Sequence, residues 1–190
     1  MTNEIESITV WGYHGTLQEN VEGILSQGFQ LSRNPWEWLG DGVYFWQDAP
    51  NRAREWAEEW AARGTHQSVE KTAIIQAKLR LENCIDMLDV GWRDALEELS
   101  KDFLGRIRKT PEFAKLKNHR IGTRRGRHEL DAAFFNYAVG ELANTGMRVS
   151  SIRAAITEGE PILPDSPLCY KSHVQICILN TSLIEEVHIV

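Results

Sequence analysis

Trp38-Leu39-Gly40-Asp41-Gly42-Val43-Tyr44-Phe45-Trp46 decides how the rest of this 190-residue chain is read. Two glycines flank one aspartate and an apolar, aromatic run follows. That is the pattern of a tight turn delivering aromatic side chains into a strand beside closely approached backbone. Such a turn is a suitable floor for a planar ligand. Taken alone, the run is a turn feeding a buried strand. Tyr13-His14-Gly15-Thr16 upstream reads as a strand running into a turn that carries a histidine, and it moves the reading towards a site.

Working outward, alternation from Ile5 to Tyr13 predicts the first strand, and Leu17, Val21, Ile24 and Leu25 recur at helical spacing up to Gly28, a C-terminal cap. The loop Ser32 to Trp38 has the composition of a ligand cover. Asp48-Ala49-Pro50 starts a helix over Asn51 to Arg63, with Ala53, Trp56, Ala57 and Trp60 expected on one face. Thr72 to Leu81 alternates as a strand, with Cys84 to Leu88 as its extension. Gly91 to Lys117 and Leu130 to Leu142 are helical, and Asn118 to Arg127 reads as a basic loop. Strands return at Arg148 to Thr157, Val174 to Leu179 and Ile184 to Val190. This order predicts one α+β domain, residues 1–190, on a mixed or antiparallel sheet, with a basic helical insertion at about 91–147.

With 42% hydrophobic and 25% charged residues the chain supports one sizeable core. No membrane-length apolar run and no signal-peptide pattern is present, so the expectation is a soluble, cytoplasmic protein without a membrane partner. Cys84, Cys169 and Cys177 lack paired spacing and read as packing residues, and no metal is expected. Dinucleotide-binding and phosphate-loop glycine motifs, the zinc-protease histidine pair and the serine-hydrolase elbow are all missing. The net charge of -6 conceals an uneven distribution, for Lys101 to Arg127 holds ten Lys or Arg against Asp102 and Glu112. A basic island on an acidic protein suits phosphates or an acidic protein partner.

Tyr13-His14-Gly15-Thr16, the helix ending Gly23-Ile24-Leu25-Ser26-Gln27-Gly28-Phe29, and Gly40-Asp41-Gly42-Val43-Tyr44-Phe45 together resemble the first two signature segments of the ADP-ribosyltransferases of the diphtheria-toxin and poly(ADP-ribose) polymerase type. The likeness runs over about residues 10 to 60, with a weaker one from about 148 onward. The resemblance implies a split mixed or antiparallel sheet flanked by helices, with NAD as co-substrate. It puts His14 on the adenosine ribose, the backbone of Gly15 on the nicotinamide carboxamide, Thr16 in support, Tyr44 against the nicotinamide ring, and Trp56 on the ring's other face. A ring held in that way has its leaving-group bond exposed to electrostatic stabilisation, with an oxocarbenium-like ribose as the product of cleavage.

Where the family has glutamate on a late strand, this chain reads Ser172-His173-Val174-Gln175-Ile176-Cys177-Ile178. Alternation puts His173 and Gln175 on one face, which gives Gln175 the third position, with His173 there as the one-step alternative. Glutamine can bond a ribose hydroxyl but not take a proton. Deprotonation would fall to His173, Glu158 or the substrate, which points to transfer of a single ADP-ribose unit. Loss of chemistry, leaving an NAD or ADP-ribose binding module, is the alternative. Arg153 is a candidate for the pyrophosphate. Arg106, Arg108, Lys109, Arg124, Arg125 and Arg127 suggest a nucleic-acid acceptor, RNA before DNA, with a protein acceptor or a purely nucleic-acid-binding protein as alternatives. A bacterial toxin or phage-defence enzyme held by a neutralising antitoxin fits that profile by analogy.

Overall fold

Strand β1 spans Ile8–Leu17 and runs straight through His14-Gly15-Thr16, which is therefore strand and not the turn its glycine suggested. The cause is its neighbour β3 (Thr72–Leu81), whose antiparallel ladder meets β1 at every position from Ile8↔Leu81 to Leu17↔Thr72. The computed structural model describes residues 7–34, 37–63, 71–111, 113–118 and 128–190. Among these, the remaining strands are β2 (Val43–Gln47), β4 (Cys84–Asp86), β5 (Ser151–Ile156), β6 (His173–Ile178) and β7 (Ile184–Ile189). They form one sheet in the order β4-β5-β6-β2-β1-β3-β7. Only β4 and β5 run parallel, so the sheet is mixed and the class α+β.

Among the described residues four α-helices flank it: α1 (Val21–Gln27), α2 (Pro50–Arg63), α3 (Arg93–Ile107) and α4 (Glu129–Asn144). Gly28 closes α1 at φ 84°, with its N–H on the Ile24 carbonyl at 2.9 Å, as its place after the periodic run predicts. Parallel neighbours cannot be joined by a tight turn, so the chain between β4 and β5 must cross over. The helical segment at about 91–147 makes this crossing. Its helices also pack on the sheet: Phe135 is buried with Ile85, Ile152 and Cys177, and Leu96, Val139 and Leu142 lie against that cluster.

The two faces of the sheet separate the aromatic run. Val43 and Phe45 join Ile75, Leu79, Ile176 and Ile178 in one core, against Phe29 and Leu183. Tyr44 and Trp46 point to the other face, Trp46 towards α2 and Tyr44 towards Leu39 and Cys177. On α2 the fully buried stripe is Ala53, Ala57 and Ala61, while Trp60 is 45% exposed. Trp56 and Trp60 lie side by side as their spacing predicts, stacked at 5.7 Å, with Trp60 at the solvent edge of the helix. Small side chains are needed because β1 lies so close: a Cβ on Gly15 would land on the Ala53 carbonyl oxygen and within 3.1 Å of the Ala57 Cβ.

Candidate functional site

Three sheet neighbours, β6, β2 and β1, carry His14-Gly15-Thr16, Tyr44, and His173 with Gln175. The β1–β2 ladder is short, registered at Gly12↔Gln47 and Tyr13↔Trp46. Beyond it β2 continues along β6, from Trp46↔Gln175 to Val43↔Ile178. From His14 onward, every second residue of β1 thus turns its backbone groups to an edge where β2 forms no further ladder. The His14 ring spans this seam, its Nδ1–H donating to the Tyr44 carbonyl at 2.9 Å. Phe29 and Phe45 enclose it at ring distances of 5.2 and 5.7 Å. Burial lowers the His14 pKa against the raising effect of that hydrogen bond, so the ring is neutral at pH 7 and its Nε2 is left as an acceptor.

Tyr44 is held by its hydroxyl, which donates to the Gly40 carbonyl at 2.5 Å and accepts from the Leu39 N–H at 3.0 Å. Burial raises the phenol pKa well above its ordinary value. The loop before it is stapled by paired Ser32 and Gly42 backbone bonds, and Ser32 and Asn34 both donate to Glu37. Gly40 has φ 81°, and the Asn136 side chain both accepts from the Asp41 N–H at 2.8 Å and donates to the Asp41 carboxylate at 3.0 Å. α4 thereby fixes the glycine turn.

The expected aromatic sandwich of Tyr44 and Trp56 is not what the chain builds. The ring that meets Trp56 is Trp46, at 5.5 Å and 47°, and Trp56 stacks on Trp60 at 5.7 Å and 5°. Tyr44 and Trp46 share a face of β2, but Trp46 is two residues nearer α2 and fills the space beneath it. Thr16 is buried and accepts from Asn20 at 3.3 Å, a strand-end contact in place of the expected turn support.

Polar atoms collect around Trp46. Its Nε1, Arg52 Nε, His173 Nε2 and Gln175 Oε1 are buried without a hydrogen-bond partner in the protein. The His173 ring lies 6.1 Å from Trp46, and the Arg52 guanidinium carbon lies 5.9 Å from the Trp46 ring centre. Trp46 and Gln175 are register partners. Four such atoms from β2, α2 and β6 form a donor and acceptor set suited to a polar ligand, since buried polar groups in folded proteins are nearly always satisfied. His173 Nδ1–H donates to the Lys171 carbonyl at 2.7 Å, and burial holds its pKa below the ordinary histidine value. The imidazole is neutral, with its free lone pair on Nε2.

Glu158 lies at this site's margin, paired with Arg52 at 2.6 Å. Arg153 does not join it. Its register partner is Ile176, which places it on the opposite face, where it donates to Asp86 at 3.0 Å and Gln47 at 2.8 Å. The expected pyrophosphate contact of Arg153 is thus replaced by a structural tie between β4, β5 and β2. In the basic island, Arg106 is bonded to Asp102 and Glu141, while Arg108 and Lys109 are exposed. Arg124, Arg125 and Arg127 lie outside the described residues.

Trp46 and Arg52 were missed in the sequence. Trp46 stood inside the decisive stretch and Arg52 one helical turn before Trp56, but neither spacing distinguishes a site residue from a core or surface one. An open depression of about 530 Å³ lies over α1, lined by Gln18, Val21, Glu22 and Leu25, apart from these groups. Among the described residues no cluster of His, Cys, Asp or Glu is placed to hold a metal ion, and no helix is long and apolar enough to cross a membrane. No family model matches the chain, and no curated protein matches it.

Proposed function

We propose that this chain is an NAD-dependent mono-ADP-ribosyltransferase acting on a macromolecular acceptor. One observation carries the reading: the strands bearing His14-Gly15, Tyr44 and Gln175, widely separated in sequence, are consecutive neighbours in the sheet. Two of them, β2 and β6, carry with α2 the four unpartnered polar atoms, on the face opposite the His14 ring.

On this reading His14, whose ring lies with Phe29 and Phe45 on the face opposite Trp46 and Gln175, offers Nε2 to a sugar hydroxyl across the β1–β2 seam, because its Nδ1–H is committed to Tyr44. Trp56, backed by the buried Trp46, supplies aromatic surface for the nicotinamide, and Gln175 bonds the ribose beside the reacting carbon. The bond from ribose C1 to the nicotinamide nitrogen breaks, and its electron pair leaves with nicotinamide. An acceptor lone pair forms the new bond to C1, and the acceptor's proton passes to His173 Nε2. A neutral histidine is a competent base near pH 7, whereas glutamine is not.

The test is nicotinamide release from NAD by purified protein, alone and with cell extract, alongside NAD-dependent thermal stabilisation. His14→Ala and Trp56→Ala are expected to abolish release while the protein still melts cooperatively. Absence of both release and stabilisation defeats the reading. Stabilisation without release supports instead a binding module without turnover, which the glutamine at position 175 favours.

A further inference from the structure

Residues 158–172, between β5 and β6, fold back on themselves as a hairpin. Lys171 N–H donates to the Glu158 carbonyl at 3.1 Å, Tyr170 to Glu160 at 3.0 Å and Ile162 to Leu168 at 2.9 Å, and Ser166 closes the turn on Leu163 at 3.1 Å. Its base is clamped to α2. The Lys171 ammonium bonds Glu55 at 2.6 Å and Glu59 at 2.5 Å, and Glu158 bonds Arg52. Burial opposes the charge on Lys171, yet the two carboxylates more than offset it and its pKa stands above the ordinary lysine value. Prolines at 161, 164 and 167 limit the freedom of the excursion.

This held segment exposes what a folded chain ordinarily covers. Ile162 is 40% exposed, Leu163 66%, Leu168 62% and Tyr170 74%. Four large apolar side chains exposed on one short hairpin are concentrated in a way that marks interaction sites more often than scattered exposure does. Beyond the clamped base, where Lys171 is held by Glu55 and Glu59, the charge beside them has one sign. Glu158, Glu160 and Asp165 lie in the segment, with no Lys or Arg between Ala154 and Tyr170.

We propose that the hairpin is a docking surface for a basic, apolar polypeptide, which it delivers beside His173 and Gln175. A nucleic acid would bring its phosphates against Glu160 and Asp165, while the hairpin's one cation, Lys171, is already held between Glu55 and Glu59. A polypeptide with Lys or Arg among apolar residues meets both the carboxylates and the exposed side chains. As an assignment of the acceptor this rests on the transferase reading. As a docking surface it does not.

The variant Leu163→Ser/Leu168→Ser/Tyr170→Ser keeps the charge and alters only exposed side chains, so its melting curve should match that of the parent. Three fluorescent probes are titrated: a peptide of alternating Lys and Leu, its Glu and Leu counterpart, and a single-stranded RNA of mixed sequence. The Lys-Leu peptide is expected to bind the parent, and about tenfold or more weaker to the variant, as truncation of central apolar anchors produces. Equal affinity in parent and variant overturns the proposal. So does equal binding of the acidic peptide, RNA binding that the variant loses, or a parent dimer that the variant dissolves in sedimentation.

A second arm incubates labelled NAD with total cell protein and RNA. The variant is expected to lose label on protein while releasing nicotinamide into water at the parental rate. Label on RNA that the variant loses overturns the proposal. If the parent releases no nicotinamide, the transferase reading falls and the peptide titrations still decide the docking surface.

Discussion

His14 and His173 share one chemical situation: in each, Nδ1–H is committed to a backbone carbonyl, and burial keeps the ring neutral. Each therefore offers a lone pair on Nε2 at neutral pH, and only His173 has that atom buried without a partner. If His173 takes the acceptor proton, kcat/KM rises as pH climbs through a pKa below 6.5 and is level by neutrality. His173→Asn is expected to remove this acid limb and lower the plateau about 100-fold or more, as removal of a general base does, with the change confined to kcat. A pH profile that keeps its limb in the variant assigns the base elsewhere. Gly15 presents the opposite case, an absence of side chain that the fold requires. Because the Ala53 carbonyl occupies the place of its Cβ, Gly15→Ala is expected to destabilise the protein by about 1–3 kcal/mol, read from the urea midpoint.

At the scale of elements, the β2 strand is positioned by contacts that periodicity does not encode. The Tyr44 hydroxyl ties the strand to the glycine turn through Leu39 and Gly40. Tyr44→Phe leaves both backbone groups without that partner and is expected to cost about 1–3 kcal/mol of stability. Asp86 and Arg153 join β4 to β5 with side chains only 18% and 15% exposed. Removing one charge there strands the other, so Asp86→Ala is expected to cost about 3–5 kcal/mol in chemical denaturation, more than deletion of an exposed pair such as Arg93–Asp94. Strand and helix identities were largely legible in the sequence, because alternation and helical spacing are local. The reading of His14-Gly15-Thr16 as a turn failed because glycine there answers to the approach of α2, a contact made by residues far along the chain.

For the molecule as a whole, the two half-buried, neutral histidines link stability to pH. Their folded pKa values are lowered, so between the unfolded value near 6.5 and those lower values the unfolded chain binds more protons than the folded one. Stability is therefore full above about 6.5 and falls as pH drops below it, by up to about 1.4 kcal/mol per pH unit for each histidine that stays neutral. Denaturation curves between pH 7 and pH 5 should show the loss, and the double variant His14→Gln/His173→Gln should flatten it. A slope unchanged in the double variant would place the linkage on the carboxylates.

By itself the sequence determined the α+β class and the boundaries of most elements, which rest on local spacing, while the candidate set His14, Tyr44, Trp56, His173 and Gln175 is what the family resemblance of its motifs implies. Only the tertiary structure decided which of them meet. Strand register put Trp46 opposite Gln175 and sent Arg153 to the far face, and helix packing put Trp46, instead of Tyr44, against Trp56. The parallel β4–β5 pair made a crossover of the helical segment that the sequence presents as an insertion. Register and packing are set by contacts between residues distant in the chain, and no local pattern specifies them.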